Sequence, residues 1–201
     1  MRLEEHFADF HETEDGMPFM WMLGRIVLDF NYAEHQMKAL LWRYIGTNLE
    51  LGHSVTAQLG SSSVAAVLLE SVAKAEEAKE VLAITEFAAR AFDVCRENRN
   101  IVAHSLRVDA TEEAATLWTR ASRKVGSQQS VSLISLSDLD NVSHDIAKTA
   151  SLLFALGLRR HVFNRDGEDI ADLPAKFKMP VRLKSRHINL KEEFLAITQK
   201  V

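Results

Sequence analysis

The chain has 201 residues, of which 47% are hydrophobic, with a formal net charge of −4, so it is long enough for one domain with a full apolar core and too weakly charged to announce a polyanionic or polycationic partner. Its one cysteine, Cys95, excludes an intrachain disulfide and fits a reducing compartment, and the acidic start (Glu4, Glu5, Asp9, Glu12, Glu14, Asp15) is unlike a signal peptide, which points to the cytoplasm. The longest apolar run is interrupted by Arg25 and Asp29, so no stretch reaches the roughly 18 residues of a membrane-spanning helix.

Along the chain, Leu3, Phe7 and Phe10 are spaced three and four apart and predict a short amphipathic helix over residues 2–11. His6 and His11 lie in it, but a spacing of five puts them on different sides of a helix, which argues against a metal site. From Pro18 to about Ile45, the residues Leu23, Ile26, Phe30, Ala33, Met37, Leu40 and Tyr44 form one apolar stripe and predict a long core helix. Glu34 falls at the edge of that stripe, with Asn31 one turn earlier. Either Glu34 reaches solvent or it needs a cationic or hydrogen-bonding partner, because a lone buried carboxylate costs several kcal/mol.

Gly46, Gly52 and Gly60 punctuate a connection with one helical turn expected around Val55 to Leu59, and Ser61-Ser62-Ser63 offers an N-cap for the next helix. That helical region is expected to break near Ala75 to Ala78 and to resume through Ile84, Phe87, Ala91 and Val94, with Cys95 as a small core residue. After His104 the texture changes. Leu106 to Val108, Thr116 to Ala121 and Ser130 to Ile134 are short, partly alternating runs between polar turns, and predict two or three antiparallel strands. Ser137 is placed to cap a last helix in which Leu139, Val142, Ile146, Leu153 and Leu156 keep helical spacing up to Gly157. Beyond Arg159 the prolines and Asp166-Gly167 mark irregular structure, with a short helix expected over residues 190–198.

The expected architecture is therefore mainly α: an antiparallel helical bundle over residues 1–158 with a small antiparallel β insertion at about 106–134, followed by a basic extension over 159–201. Residues 1–158 hold 14 Lys/Arg against 22 Asp/Glu, whereas 159–201 hold 10 against 6. Lys176, Lys178, Arg182, Lys184 and Arg186 in that extension either contact phosphates or dock on the acidic body. Internal repeats, GxGxxG and Walker loops, Cys/His zinc spacings and a G-x-S-x-G elbow are all missing from the sequence, which removes the enzyme classes that depend on them.

What remains is Arg96-Glu97-Asn98-Arg99-Asn100-Ile101-Val102-Ala103-His104-Ser105 at the end of the second long helix. On a helix Arg96, Asn100 and His104 are successive i, i+4 neighbours with Arg99 beside them. Arg99 and His104 would stand about 140° apart and roughly 7.5 Å along the axis, too far to grip one atom unless the helix frays, long side chains converge or a second subunit closes the gap. Two copies across a twofold axis would surround one cleft with two arginines and two histidines. That set suits phosphodiester cleavage without a metal. A 2′-hydroxyl must lose a proton, a 5′-oxygen must gain one, and the phosphorane must be held by charge; histidine titrates near neutrality and arginine keeps its charge and forks onto phosphate oxygens.

At these residues the chain resembles the HEPN superfamily, whose ribonuclease members share Arg-x-x-x-x-His, often with Asn after the Arg; here it reads Arg99-Asn100-Ile101-Val102-Ala103-His104. The resemblance implies a helical bundle, a homodimer with the motif at a shared cleft, and RNA cleavage that needs no metal or other cofactor, commonly under an antitoxin or within an antiviral defence system. By the same resemblance Arg99 holds the scissile phosphate, His104 transfers protons and Asn100 supports them, with Arg96 nearby. Glu34, with Asn31 beside it, then becomes the expected carboxylate orienting Arg99. Two other readings stand beside cleavage: a HEPN-like module that binds RNA, a nucleotide or a protein without turnover, and basic side chains that only complement the helix dipole, worth about 0.3–1 kcal/mol.

Overall fold

The computed structural model describes residues 17–110, 114–119, 129–159, 177–184 and 186–188. The helices expected over 2–11 and 190–198 lie outside the described residues. The elements are α1 (Met17–Tyr44), α2 (Leu49–Thr56), α3 (Ser61–Ala75), α4 (Lys79–His104), β1 (Ser105–Ala110), β2 (Ala114–Thr119), β3 (Gln129–Ser135), α5 (Leu136–Arg159) and β4 (Arg186–Ile188). The fold is mainly helical, as the periodicities indicate, and no helix among the described residues is long and apolar enough to cross a membrane.

Helix α1 is the axis of the core. Ile26, Phe30, Ala33, Met37 and Leu40 of the expected stripe are buried, and Leu23 and Tyr44 pack against them. It stops at Gly46, which takes a left-handed φ of 69° while the Thr47 N–H donates to the Trp42 carbonyl at 3.1 Å, the six-to-one bond of a Schellman ending. Asn48 then caps α2, its Oδ1 accepting from the Leu51 N–H at 2.9 Å. This helix starts earlier than the single turn expected at Val55 to Leu59, because Gly52 is not punctuation. A Cβ on Gly52 would stand 2.5 Å from Trp42 Cγ, so the glycine lets α2 lie directly on the indole. The Trp42 Nε1–H then donates to Thr56 Oγ1 at 3.2 Å.

The expected break after Ala75 is present: Glu76 is extended (φ −117°, ψ 126°), and α4 starts at Lys79. The cap of α3 differs from the sequence reading. Gly60 occupies the N-cap, and the Ser61 hydroxyl is drawn away to Glu34 Oε1 at 2.8 Å. At α5 the cap is Ser135 rather than Ser137: Ser135 Oγ accepts from the Asp138 N–H at 3.0 Å while Asp138 Oδ2 accepts from the Ser135 N–H at 2.9 Å, a reciprocal box two residues upstream of the serine first chosen. The Ser135 backbone N–H holds the Asp138 carboxyl below its ordinary value. Helix α5 also runs past Gly157, which admits the Arg43 guanidinium at 3.1 Å from where a Cβ would stand.

Polar contacts fix the helix directions. Asp29 of α1 accepts from Ser143 Oγ at 2.7 Å, and Gly157 lies by Arg43, so α5 runs parallel to α1. Phe30 stacks on Phe92 with ring centroids 5.2 Å apart, and α4, starting after the Glu76 that meets Tyr44, runs back along α1. The strands form one antiparallel sheet in the order β1-β2-β3-β4, with β1 and β2 out of simple register between Arg107 and Asp109. Two or three strands were expected in the insertion and three are present among the described residues; the fourth, β4, comes from the C-terminal extension.

Cys95 lies in the core beside Thr149 Oγ1, 3.5 Å away, and burial pushes its thiol up to about 12, with Asp145 raising it further and Thr149 opposing. An acid whose folded value is raised adds stability below its unfolded value near 9.0 and loses it as pH climbs toward about 12. The thiol should therefore ignore an aromatic disulfide reagent at pH 8 in the native protein and react fully in denaturant, and unfolding free energy should fall as pH rises above about 9.

Candidate functional site

Helix α4 stays α-helical through His104, so the fraying that would let Arg99 and His104 converge within one chain does not occur. Their separation is that of an ideal helix, about 140° around the axis and roughly 7.5 Å along it. His104 is exposed in the last turn, directly before β1; Asn100 is half-buried. One chain thus presents the Arg99 guanidinium and the His104 imidazole on different sides of an unbroken helix.

Arg99 is placed by the core. It follows Phe92 by two turns on the same face, and the Phe30 ring of α1 meets both: Phe92 stacks on it, and Arg99 Cζ stands 4.4 Å from its centroid. The Arg99 Nε–H is buried and has no hydrogen-bond partner among the described residues. An unmade buried hydrogen bond costs about 1–3 kcal/mol, which the stacking of the guanidinium on Phe30 offsets in large part. Phe30, assigned in the sequence to the core stripe alone, is therefore also the platform of the site.

The supporting residues fall elsewhere. Glu34, expected to orient Arg99, accepts from Ser61 Oγ at 2.8 Å and pairs with Lys38 Nζ at 3.4 Å, because that lysine one turn on and the start of α3 are the nearer donors. Asn31 is exposed on α1. Arg96 turns back on its own helix, with Nε and Nη2 donating to Asp93 Oδ1 at 2.9 and 2.6 Å. Among the described residues, no group of three or more His, Cys, Asp and Glu side chains could hold a metal ion.

The sequence reading passed over Asn98, although it sits inside the quoted stretch. It is 1% exposed, and its side chain grips an extended segment of the C-terminal extension: Nδ2 donates to the Val181 carbonyl at 2.8 Å, and Oδ1 accepts from the Leu183 N–H at 2.9 Å. One amide thus serves two backbone groups of residues 177–184 as a neighbouring strand would. Arg182 Nε pairs with Glu97 at 3.0 Å, the Val181 N–H donates to Asp145 Oδ2 at 3.3 Å, and Phe177 and Leu183 pack on the core. Of the two roles open to the basic run, docking on the acidic body is the one seen for this segment. The signal was available: Ala91, Cys95, Asn98 and Val102 lie at i, i+4, i+7 and i+11, all buried, so the asparagine interrupts an apolar row.

Comparison with protein-family models, with curated proteins and with solved structures returns no match to this chain.

Proposed function

We propose that this chain is a homodimeric endoribonuclease of the HEPN type, in which Arg99, Asn100 and His104 of two copies share one cleft and cut RNA without a metal. The observation that carries the reading is the Arg99 guanidinium, fixed on Phe30 with a buried N–H unused, five residues before an exposed histidine on the same unbroken helix. A guanidinium is the side-chain group that forks onto phosphate oxygens, and Phe30 holds this one in place. The ribose 2′-oxygen attacks the adjacent phosphorus as its proton passes to the His104 imidazole of one copy, the bond from phosphorus to the 5′-oxygen breaks, and that oxygen takes a proton from the His104 imidazolium of the other copy. The products are a 2′,3′-cyclic phosphate and a 5′-hydroxyl. His104 serves one proton transfer, a contribution of about 10²–10⁴-fold, and Arg99 the charge on the phosphorane. The resemblance also places such an enzyme under an antitoxin or within a defence system.

Purified protein should cut single-stranded RNA in excess EDTA and leave cyclic phosphate ends, and His104→Ala should lower the rate at least about 10²-fold while the circular dichroism spectrum stays unchanged. Equal rates for the two proteins would defeat the catalytic assignment. The separation of Arg99 and His104 on one helix favours, as the second reading, a module that binds RNA without cutting it; saturable binding with no product at any protein concentration would establish that one.

A further inference from the structure

The fold brings two histidines together away from the motif. His35 of α1 and His53 of α2 have ring centroids 6.1 Å apart, with 28° between the ring planes. Both residues are exposed, and among the described residues neither imidazole makes a hydrogen bond. The third ring of the cluster is Trp42, which is 4% exposed: His53 lies 4.6 Å from it at a tilt of 54°, and His35 meets it edge-on at 5.8 Å. Stacking on the indole is one use for the two rings, and it leaves their nitrogens without a partner among the described residues.

The separation of the two rings is set by contacts other than their own. The Trp42 Nε1–H donates to Thr56 Oγ1 at 3.2 Å, and a Cβ on Gly52 would stand 2.5 Å from the indole, so α2 cannot slide along α1 without losing both contacts. Asn48 caps the same helix. A pair of ligands positioned in advance loses less freedom on binding than a pair that must be gathered. Nor does charge oppose a cation here. Lys38, one turn after His35, pairs with Glu34 at 3.4 Å, and Glu50 lies one turn before His53.

We infer that His35 and His53 chelate one divalent late transition-metal ion, of which Ni²⁺ and Cu²⁺ fit best. Neutral imidazole is a common nitrogen ligand for these ions, and their tetragonal coordination is met by two imidazoles with water in the remaining positions. Metal–nitrogen distances of about 2.0–2.1 Å put two imidazole centroids about 5 Å apart on one ion, so about 1 Å of side-chain rotation closes the chelate. Among the described residues no third His, Cys, Asp or Glu joins the pair, so the ion exchanges with solution and is not locked in place. The bridge from α1 to α2 is made only in the folded chain, and the ion therefore stabilises that packing by mass action. It uses neither Arg99 nor His104 and takes no part in the proposed cleavage.

The test needs no RNA, so the metal site and the ribonuclease reading can fail separately. Isothermal titration of the untagged protein with Ni²⁺ should show saturable binding of one ion per chain, and the ion should raise the melting temperature. His35→Gln and His53→Gln should each weaken that binding at least about tenfold, because a single imidazole cannot chelate, while the metal-free melting temperature of these exposed positions stays unchanged. Binding that survives both substitutions places the ion on another of the eight histidines and overturns the site. A loss in only one of the two variants overturns it too, since it leaves a lone ligand in place of a chelate. If no saturable binding is found at millimolar Ni²⁺, the inference falls and the imidazoles serve only to stack on Trp42.

Discussion

Arg99→Met should lower RNA cleavage by two orders of magnitude or more and leave the unfolding free energy within about 1 kcal/mol of wild type. The two halves of that expectation come from one geometry. Arg99 stacks on Phe30 with its Nε–H buried and without a partner among the described residues. The stacking returns about 0.5–2 kcal/mol, and the unused donor costs about 1–3 kcal/mol, so the arginine adds little net stability. Methionine keeps the length of the side chain, removes the stranded donor and makes a favourable sulfur contact with the ring. The charge that holds a developing phosphorane is lost, and deleting one such group costs about 10²–10³ in turnover. Arg99→Lys keeps the charge without the fork and should fall between. Single-turnover cleavage together with chemical denaturation makes the check. A loss of more than about 3 kcal/mol in Arg99→Met would make Arg99 a structural residue and remove the main support for the proposed site.

The second large effect is expected at Asn98. Asn98→Ala deletes both hydrogen bonds to the extended segment and leaves a small void in a fully packed row, a combined cost of about 2–3 kcal/mol. The Arg182–Glu97 pair cannot compensate, since its side chains are 64% and 37% exposed and screened by water. Limited proteolysis should then cut within residues 177–184, where the wild-type chain resists. Asn98→Asp is the more informative variant. It keeps the acceptor for the Leu183 N–H but sets an acceptor against the Val181 carbonyl and buries a charge, so it should be at least as unstable as the alanine variant at pH 7. Burial raises the folded pKa of such a carboxyl, so part of the lost stability should return as pH falls. Equal protease resistance in wild type and Asn98→Ala would show that the segment is held by its apolar contacts alone.

These two residues also mark how far the sequence could be read. The helices and the strands of the insertion were legible because their apolar positions repeat at 3.6 or 2, and Ile26, Phe30, Met37, Leu139 and Ile146 are buried as those periods require. Boundaries were less so. Gly52 looks like a breaker in one dimension and is a seat for Trp42 in three, and which serine caps a helix depends on which carboxylate reaches back to it. Within the candidate site, Arg99, Asn100 and His104 stand out in the sequence by type and spacing, but the partners of the residues around them do not. Glu34 is claimed by Lys38 and Ser61, and the partners of Asn98 lie more than eighty positions away, beyond any local pattern.

That distance has its own consequence. The contacts of Asn98 span 83 and 85 positions of chain, so its amide can be satisfied only after residue 183 has been synthesised. Until then the asparagine is a polar defect in an otherwise apolar row, one residue before Arg99. A nascent chain shorter than about 183 residues would hold the neighbouring arginine on Phe30 without these two bonds beside it.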